Sequence, residues 1–436
     1  MRTLASLLIL SFLSACSYST GGDNNDNRYS CSNSDQKRFV RDATLDWYLW
    51  NDLLPDKVKI GDYDSPAELL ASLIQVQPLD NYSYIGSAAA DAAFFGAGQY
   101  LGFGFSWRQV AAGDVRLTRE FASSPVAVAG FARGQRIVAL DGRSIAEIEA
   151  AEGIAAAMSA ATISFTLRET DGVTEFTASV SEDVVTINPV PQWRLIPTAG
   201  GPPIGYLELS AFINTADSML DTVFADFRAN NVTDVIVDLR YNGGGLVNTA
   251  GLFGDLLGGV IAENLTFSRT LFNADRSVEY DSEELFARLA NSISLSRLVV
   301  IATPSTASAS ELLTNSMMSH VDVAIVGDRT FGKPVGQVGF EFCGSILRLT
   351  AFQTVNADGL GDYFGGLPAD CLAVDDLDLP LGDAADPNMV AAVNYMETGA
   401  CPAAPASAVQ ARSAFMDGRA GEDRRGPPWR EFAGAW

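Results

Sequence analysis

Three short apolar runs constrain most of what this chain can fold into: Val235-Ile236-Val237-Asp238-Leu239, Leu298-Val299-Val300-Ile301-Ala302, and Val323 to Val326. Each is apolar at nearly every position, the pattern of a strand covered on both faces. The stretches before and between them read as helices. Ala216 to Asn230 is amphipathic, Leu246 to Leu257 follows a Gly-rich turn, and Ser308 to Ser319 opens on a Ser-x-x-Glu pattern. With Gly205 to Leu209 as a further strand, the alternation predicts an α/β core with parallel pairing over residues 190–400.

At 436 residues the chain exceeds one ordinary core, and the remaining segments differ in pattern. Over 31–90, Phe39, Val40, Leu45, Tyr48 and Leu49, then Leu69, Leu70, Leu73 and Ile74, recur at helical intervals, which predicts a small N-terminal helical cap. From 98 to 182 short strands and turns take over, with Tyr100 to Phe103, Ser124 to Phe131, Arg136 to Leu140 and Thr162 to Arg168 among them. Residues 401–436 form a C-terminal tail. The expected class is therefore α/β multidomain: helical cap, β-rich domain, α/β core.

The first residues read as a targeting segment. Arg2 precedes the apolar stretch Leu4 to Leu13, too short for a comfortable membrane span, and Leu13-Ser14-Ala15-Cys16 follows. This resembles a bacterial lipoprotein signal over 1–16, which implies lipidation of Cys16 and a membrane partner reached through that anchor. The polar stretch 17–30 then reads as a flexible tether. Ser17 after the cysteine implies sorting to the outer membrane, facing the periplasm or the cell surface. A net charge of −24 repels phosphate backbones and argues against a nucleic-acid partner. Apart from Cys16 there are Cys31, Cys343, Cys371 and Cys401, an even number that suggests disulfides in an exported chain. Closeness in sequence favours Cys343–Cys371, with Cys31–Cys401 second. No Cys-x-x-Cys is present, so neither a zinc ribbon nor a thioredoxin-type site is expected.

Two scarcities narrow the chemistry. His320 is the single histidine, so no His-ligated metal cluster can form, and its place at a helix end reads as structural. Of the four lysines, Lys37, Lys57, Lys59 and Lys333, only Lys333 lies beyond residue 60, in the apolar, Gly-rich Thr330-Phe331-Gly332-Lys333-Pro334-Val335-Gly336-Gln337. Burial there would lower its pKa and let it act as a base; otherwise it is an ordinary loop lysine. Ser308, in Ser305-Thr306-Ala307-Ser308-Ala309-Ser310-Glu311, joins a buried strand to a helix. Helix N-terminal amides there favour developing negative charge, yet Ser308 and Glu311 fit a plain capping box equally well. Asp238-Leu239-Arg240-Tyr241-Asn242-Gly243-Gly244-Gly245 can present backbone N–H groups to an anion, or simply make a tight turn. No Gly-Lys-Ser/Thr follows, so it is not a phosphate loop.

Together, and in this order after a β-rich domain, the three segments resemble those of the carboxyl-terminal processing (tail-specific) proteases. Lys333 follows Ser308 by 25 residues, the spacing of that family. The resemblance implies a serine endopeptidase with a Ser–Lys dyad and no cofactor or metal. Ser308 would be the nucleophile, Lys333 the general base and Gln337 the residue that orients the lysine amine. The backbone N–H groups of Gly244 and Ala309 would form the oxyanion hole. It further implies that residues 98–182 are a PDZ-like domain. There the amides around Leu101, Gly102 and Phe103 would take the terminal carboxylate of protein or peptide substrates with apolar C-termini. Tyr100 stands where that loop often opens with Gly, and Pro334 replaces the Gly after the lysine. A non-catalytic peptide- or ligand-binding lipoprotein on the same fold is the alternative.

Overall fold

The computed structural model describes residues 29–403; Cys16, the tether up to residue 28 and the tail from residue 404 lie outside the described residues. The apolar runs form neighbouring strands of one six-stranded sheet. Its order is Trp193–Ile196, Ile204–Glu208, Asp234–Asp238, Arg297–Ala302, Asp322–Gly327 and Cys371–Leu372. Only the first pair is antiparallel; the others run parallel. Alternation along each strand feeds two cores. Val235, Val237, Leu298, Val300 and Ile325 pack under the helices Asn214–Ala229, Val247–Gly258 and Ala309–Met318. Ile236, Val299, Ile301, Ala324 and Val326 face the helix Pro387–Thr398. Each such buried side chain contributes about 1.5–3 kcal/mol, which explains why these strands carry almost no polar residue. Parallel pairing has a functional consequence. The segments that follow Asp238, Ala302 and Gly327 leave adjacent strands at the same, carboxyl edge.

A second, antiparallel sheet joins Tyr84–Ser87, Ser345–Val355, Thr266–Phe272 and Ser282–Leu285, with Val335–Phe342 hairpinned to Ser345–Val355. The N-terminal region covers it with two helices, Asn33–Trp47 and Pro66–Ile74. Ser32 and Ser65 cap them by accepting the Asp35 and Glu68 N–H groups. Val40, Leu69, Leu70 and Leu73 pack there against Phe340, Phe342, Leu347 and Leu349.

The β-rich domain is the sheet Phe105–Ala111, Asp114–Glu120, Arg136–Leu140, Thr162–Arg168 and Glu175–Ser181, with Phe105–Ala111 at one edge. Phe103, Phe105, Leu117, Ile137 and Phe165 fill its core. Ser124 to Phe131, read among short strands and turns, contains the helical turn Pro125–Val128. Ser124 Oγ accepts the Ala127 N–H and Pro125 presets the first turn, a local preference that outweighs the β-branched valines. The domain hangs from a two-stranded ribbon, Gln99–Gly102 against Asp183–Thr186.

Buried ion pairs fasten this domain to the core. Arg119 meets Glu208 at 2.7 Å and Arg133 meets Asp375 at 2.8 Å. Arg133 also donates to the Tyr241 hydroxyl at 2.9 Å, and that hydroxyl donates to Asp375. Three guanidiniums, those of Arg133, Arg108 and Arg240, outweigh burial and hold the Asp375 carboxyl down at about 2.

The disulfides are Cys31–Cys343 and Cys371–Cys401, not the pairing that sequence proximity favours. Cys343 is the turn of the hairpin that the N-terminal helices cover, which brings Cys31 to it across 312 residues. Cys371 lies on the edge strand of the parallel sheet, next to the layer formed by the last helix, so Cys401 just beyond that helix reaches it.

Candidate active site

The three motif segments converge where the parallel strands end. Ser308 is the residue before the helix Ala309–Met318 and has φ +55°, a left-handed conformation unusual for a serine. Glu311 completes a capping box with Ser308, and the Ser308 N–H donates to Glu311 Oε2 at 2.9 Å.

Glu311 is fully buried and reaches much further than a cap. Its Oε1 accepts from Thr330 Oγ1 at 2.5 Å and from the Gly332 N–H at 2.6 Å. Its Oε2 accepts from the Lys333 N–H at 2.8 Å as well as from Ser308. One carboxylate thus stitches the serine segment to the lysine segment. Burial pushes its pKa above the usual value even though all four bonds favour the ionised form.

Lys333 Nζ donates to Gln337 Oε1 at 2.9 Å, so the lysine and the glutamine expected to orient it are in contact. Gln337 begins the regular pairing of its strand with Ser345–Val355 after a bulge at Gly336, which turns its side chain toward the lysine loop. Gly244 packs against the serine: a Cβ there would lie 2.7 Å from Ala309 N and 2.8 Å from Ser308 Cβ, which with φ +96° leaves room only for glycine. The Ala309 N–H opens a helix, where no intrahelical carbonyl is available to it. The Gly244 N–H, by contrast, donates to Asn242 Oδ1 at 2.8 Å. The turn thus places Gly244 beside Ser308 and Ala309, with its amide directed to Asn242. Beneath the turn, Arg240 is fully buried, paired with Asp238 at 2.6 Å and with Asp386 at 2.6 Å.

Within the other predicted site, Leu101 and Gly102 belong to the ribbon, paired with Val184 and Asp183, and Leu101 is exposed. Phe103 is buried in the domain core and its carbonyl accepts the Val126 N–H at 3.3 Å. The chain turns into the edge strand at Gly104, φ +92°, whose ideal Cβ would overlap Ser124. Gly102-Phe103-Gly104 is therefore the loop that leads into that edge, and the signal for Gly104 was the Gly-x-Gly spacing. Along the edge strand, facing the helices Ile145–Ala151 and Ile154–Ala157, runs a groove of about 440 Å³. Trp107, Gln109, Glu149, Glu152 and Ile154 line it, and Gln109 bridges it to Glu149 at 2.5 Å.

His320 lies elsewhere: its Nε2 is 2.9 Å from the Thr266 carbonyl and its ring stands edge-on to Phe286. Among the described residues no group of three or more His, Cys, Asp or Glu is placed to hold a metal, and no helix is long and apolar enough to cross a membrane. Sequence reasoning missed the span of Glu311, visible only as a cap pattern, and Tyr82, whose hydroxyl donates to the Gly332 carbonyl at 2.8 Å. Nothing in the sequence marks Tyr82.

Comparison with known proteins bears on the family and the fold. The pattern described as Peptidase family S41 matches residues 203–368, and that of the Peptidase S41 N-terminal domain matches residues 35–84. A carboxyl-terminal-processing protease of Picosynechococcus sp. is 27% identical over 238 residues, 53% of this chain and 54% of that protein. The chloroplastic carboxyl-terminal-processing peptidase 2 of Arabidopsis thaliana is 31% identical over 184 residues, 39% of this chain and 33% of that protein. The chain spans about half, or less, of the length of the curated relatives it matches. Among solved structures, a putative S41 protease from Bacteroides fragilis superposes with a TM-score of 0.65 at 22% identity, covering 82% of this chain and 97% of that one. The photosystem II D1 C-terminal processing protease gives 0.53 at 20% identity, covering 82% and 100%. At these identities the structural likeness is one of fold.

Proposed function

The chain belongs to peptidase family S41, and from that premise we propose that it hydrolyses peptide bonds of exported proteins through Ser308 and Lys333. The observation that carries this reading is the Glu311 carboxylate, which accepts the backbone N–H groups of both residues on one oxygen. A helix cap alone has no use for the second bond. In the proposed reaction Lys333 Nζ takes the Ser308 proton as Oγ attacks the peptide carbonyl. The oxyanion forms against the Ala309 and Gly244 N–H groups, the latter exchanging Asn242 Oδ1 for the new charge. The lysine then protonates the leaving amine, and water releases the acyl group.

In the same proposal the β-rich domain is PDZ-like. An extended C-terminal segment adds to the Phe105–Ala111 edge, with its carboxylate at Gly102-Phe103-Gly104 and its side chains in the groove beside Trp107. Lipidation at Cys16 would hold the enzyme at the envelope, where such substrates pass.

The test is mass-spectrometric detection of products from an unfolded protein, with Ser308→Ala and Lys333→Ala as controls. Both variants should lose cleavage while keeping the wild-type circular dichroism spectrum. Retained cleavage in Ser308→Ala, with only a cap-sized loss of stability of about 1 kcal/mol, would return the serine to a structural role. Equal turnover of a substrate and its C-terminally amidated form would remove carboxylate recognition from the proposal.

A further inference from the structure

Lys333 is flanked by a residue from the N-terminal region of the chain. Tyr82, 250 positions before Gly332, touches the lysine loop in three ways. Its hydroxyl donates to the Gly332 carbonyl at 2.8 Å. Its carbonyl accepts from Gln337 Nε2 at 2.6 Å. Its ring centroid lies 5.1 Å from Lys333 Nζ. Tyr82 is itself held: its N–H donates to Asp80 Oδ1 at 3.0 Å. The buried Asp80 also accepts from the Ser83 N–H, the Ser83 hydroxyl and the Thr350 hydroxyl.

We propose that Tyr82 is a positioning residue for the base: it fixes which end of Gln337 faces Lys333 and stabilises the ammonium that forms during the reaction. This rests on the Ser308–Lys333 reading above. The Gln337 amide has one donor end and one acceptor end. With Nε2 bound to the Tyr82 carbonyl, Oε1 is turned to Lys333, and the observed bond to Nζ is the outcome. The ring does a second job. Its electron-rich face attracts a cation within about 6 Å and does nothing comparable for a neutral amine. When the Ser308 O–H bond breaks and the proton passes to Nζ, the positive charge forms beside this face. It leaves again when the proton is delivered to the nitrogen of the breaking C–N bond. The N-terminal region thereby supplies part of the catalytic environment, rather than merely covering the second sheet.

A ring that favours the ammonium also raises the pH at which Lys333 becomes available as a base. Other titratable groups stand around the cluster. Glu311 reaches it from the nucleophile helix and Asp80 from the turn beneath Tyr82. Arg348 lies on the neighbouring strand, paired with Asp91. Tyr363 comes from the loop after that strand, its hydroxyl pushed above the usual range by burial and by Glu311. Replacements at position 82 leave all four in place, so a change that tracks the ring separates its effect from theirs.

The experiment is the pH dependence of kcat/KM for peptide hydrolysis by the purified chain, in wild type, Tyr82→Phe and Tyr82→Met. Tyr82→Phe keeps the ring and should hold the acid limb within about 0.2 pH unit of wild type. Tyr82→Met should move it down by about 0.5–1 pH unit, equivalent to ~0.7–1.4 kcal/mol, and lower the plateau about tenfold. A Tyr82→Met limb that coincides with wild type overturns the proposal. Should Tyr82→Met fail to fold by circular dichroism, Tyr82→Trp supplies a stronger ring and must not lower the limb; a downward shift overturns it. Lys333→Ala keeps the two ideas apart. Hydrolysis that survives it refutes the dyad. Hydrolysis that it abolishes, with an unmoved Tyr82→Met limb, refutes the role of Tyr82 alone.

Discussion

Replacing Glu311 by Gln removes one oxygen from a fully buried group that accepts four hydrogen bonds. The new NH₂ must face either the Thr330–Gly332 pair of donors or the Ser308–Lys333 pair. Each bond to an ionised acceptor is worth about 1.5–3 kcal/mol, so two lost bonds amount to about 3–6 kcal/mol. Relief from burying a charge offsets part of this, because burial already holds the carboxyl pKa above its ordinary value of 4.5. A net loss of roughly 2–3 kcal/mol in urea denaturation at neutral pH is expected. The effect on rate should be larger than stability suggests. The Ser308 and Lys333 amides lose a common acceptor, and an ångström-scale displacement between the proposed nucleophile and base costs about 10² in rate. We therefore expect kcat to fall about 100-fold, with KM within a few-fold of wild type. A pH signature accompanies this. With its pKa raised, folded Glu311 holds a proton that the unfolded chain has released, so ionisation destabilises the fold as pH rises from 4.5 through the native value. Glu311→Gln removes that slope. A stability loss of only about 1 kcal/mol, with kcat within threefold of wild type, would show that Glu311 is a helix cap and would refute the argument.

The domain junction makes a second prediction. Asp375→Asn should destabilise the chain by about 3–5 kcal/mol, because Arg133 and Arg240 lose a shared buried counter-charge. In wild type the depressed Asp375 pKa contributes stability above the ordinary value of 3.8, lost as pH falls toward about 2; urea titrations of the variant should lack that component, and parallel curves would contradict it. His320→Gln should keep peptide turnover within about twofold, since the imidazole contacts the Thr266 carbonyl and Phe286 rather than the serine; a loss beyond tenfold in the same assay would restore a histidine-based mechanism.

The legible parts of the sequence were those set by local pattern. Consecutive apolar residues announced strands covered on both faces, and parallel pairing then required the loops after Asp238, Ala302 and Gly327 to share a rim. Contacts made across the fold left no such trace. Cys31 pairs with Cys343 because two helices lie over a distant hairpin. Tyr82 reaches Lys333 through tertiary packing alone. Glu311 showed only its local bond, since Ser-x-x-Glu is a short-range pattern while the bonds to Thr330, Gly332 and Lys333 arise from a neighbouring strand's loop. At Ser124 to Phe131 the turn has a local cause: Ser-Pro at a helix start outweighs the valines that follow.

The ribbon that carries the β-rich domain makes the domain a cassette. Where the chain leaves and rejoins the body, the Ile187 N–H donates to the Gly98 carbonyl at 2.8 Å, so a short linker there could close the body without the domain. Threading thus makes the cassette interchangeable, since a different insert needs only two adjacent ends. Electrostatics makes it particular, because excision would take from Glu208 its ion-pair partner Arg119 and remove two of the three guanidiniums around Asp375. A replacement would have to bring its own cations to those carboxylates, one of which receives the hydroxyl of Tyr241 in the glycine-rich turn that packs against Ser308.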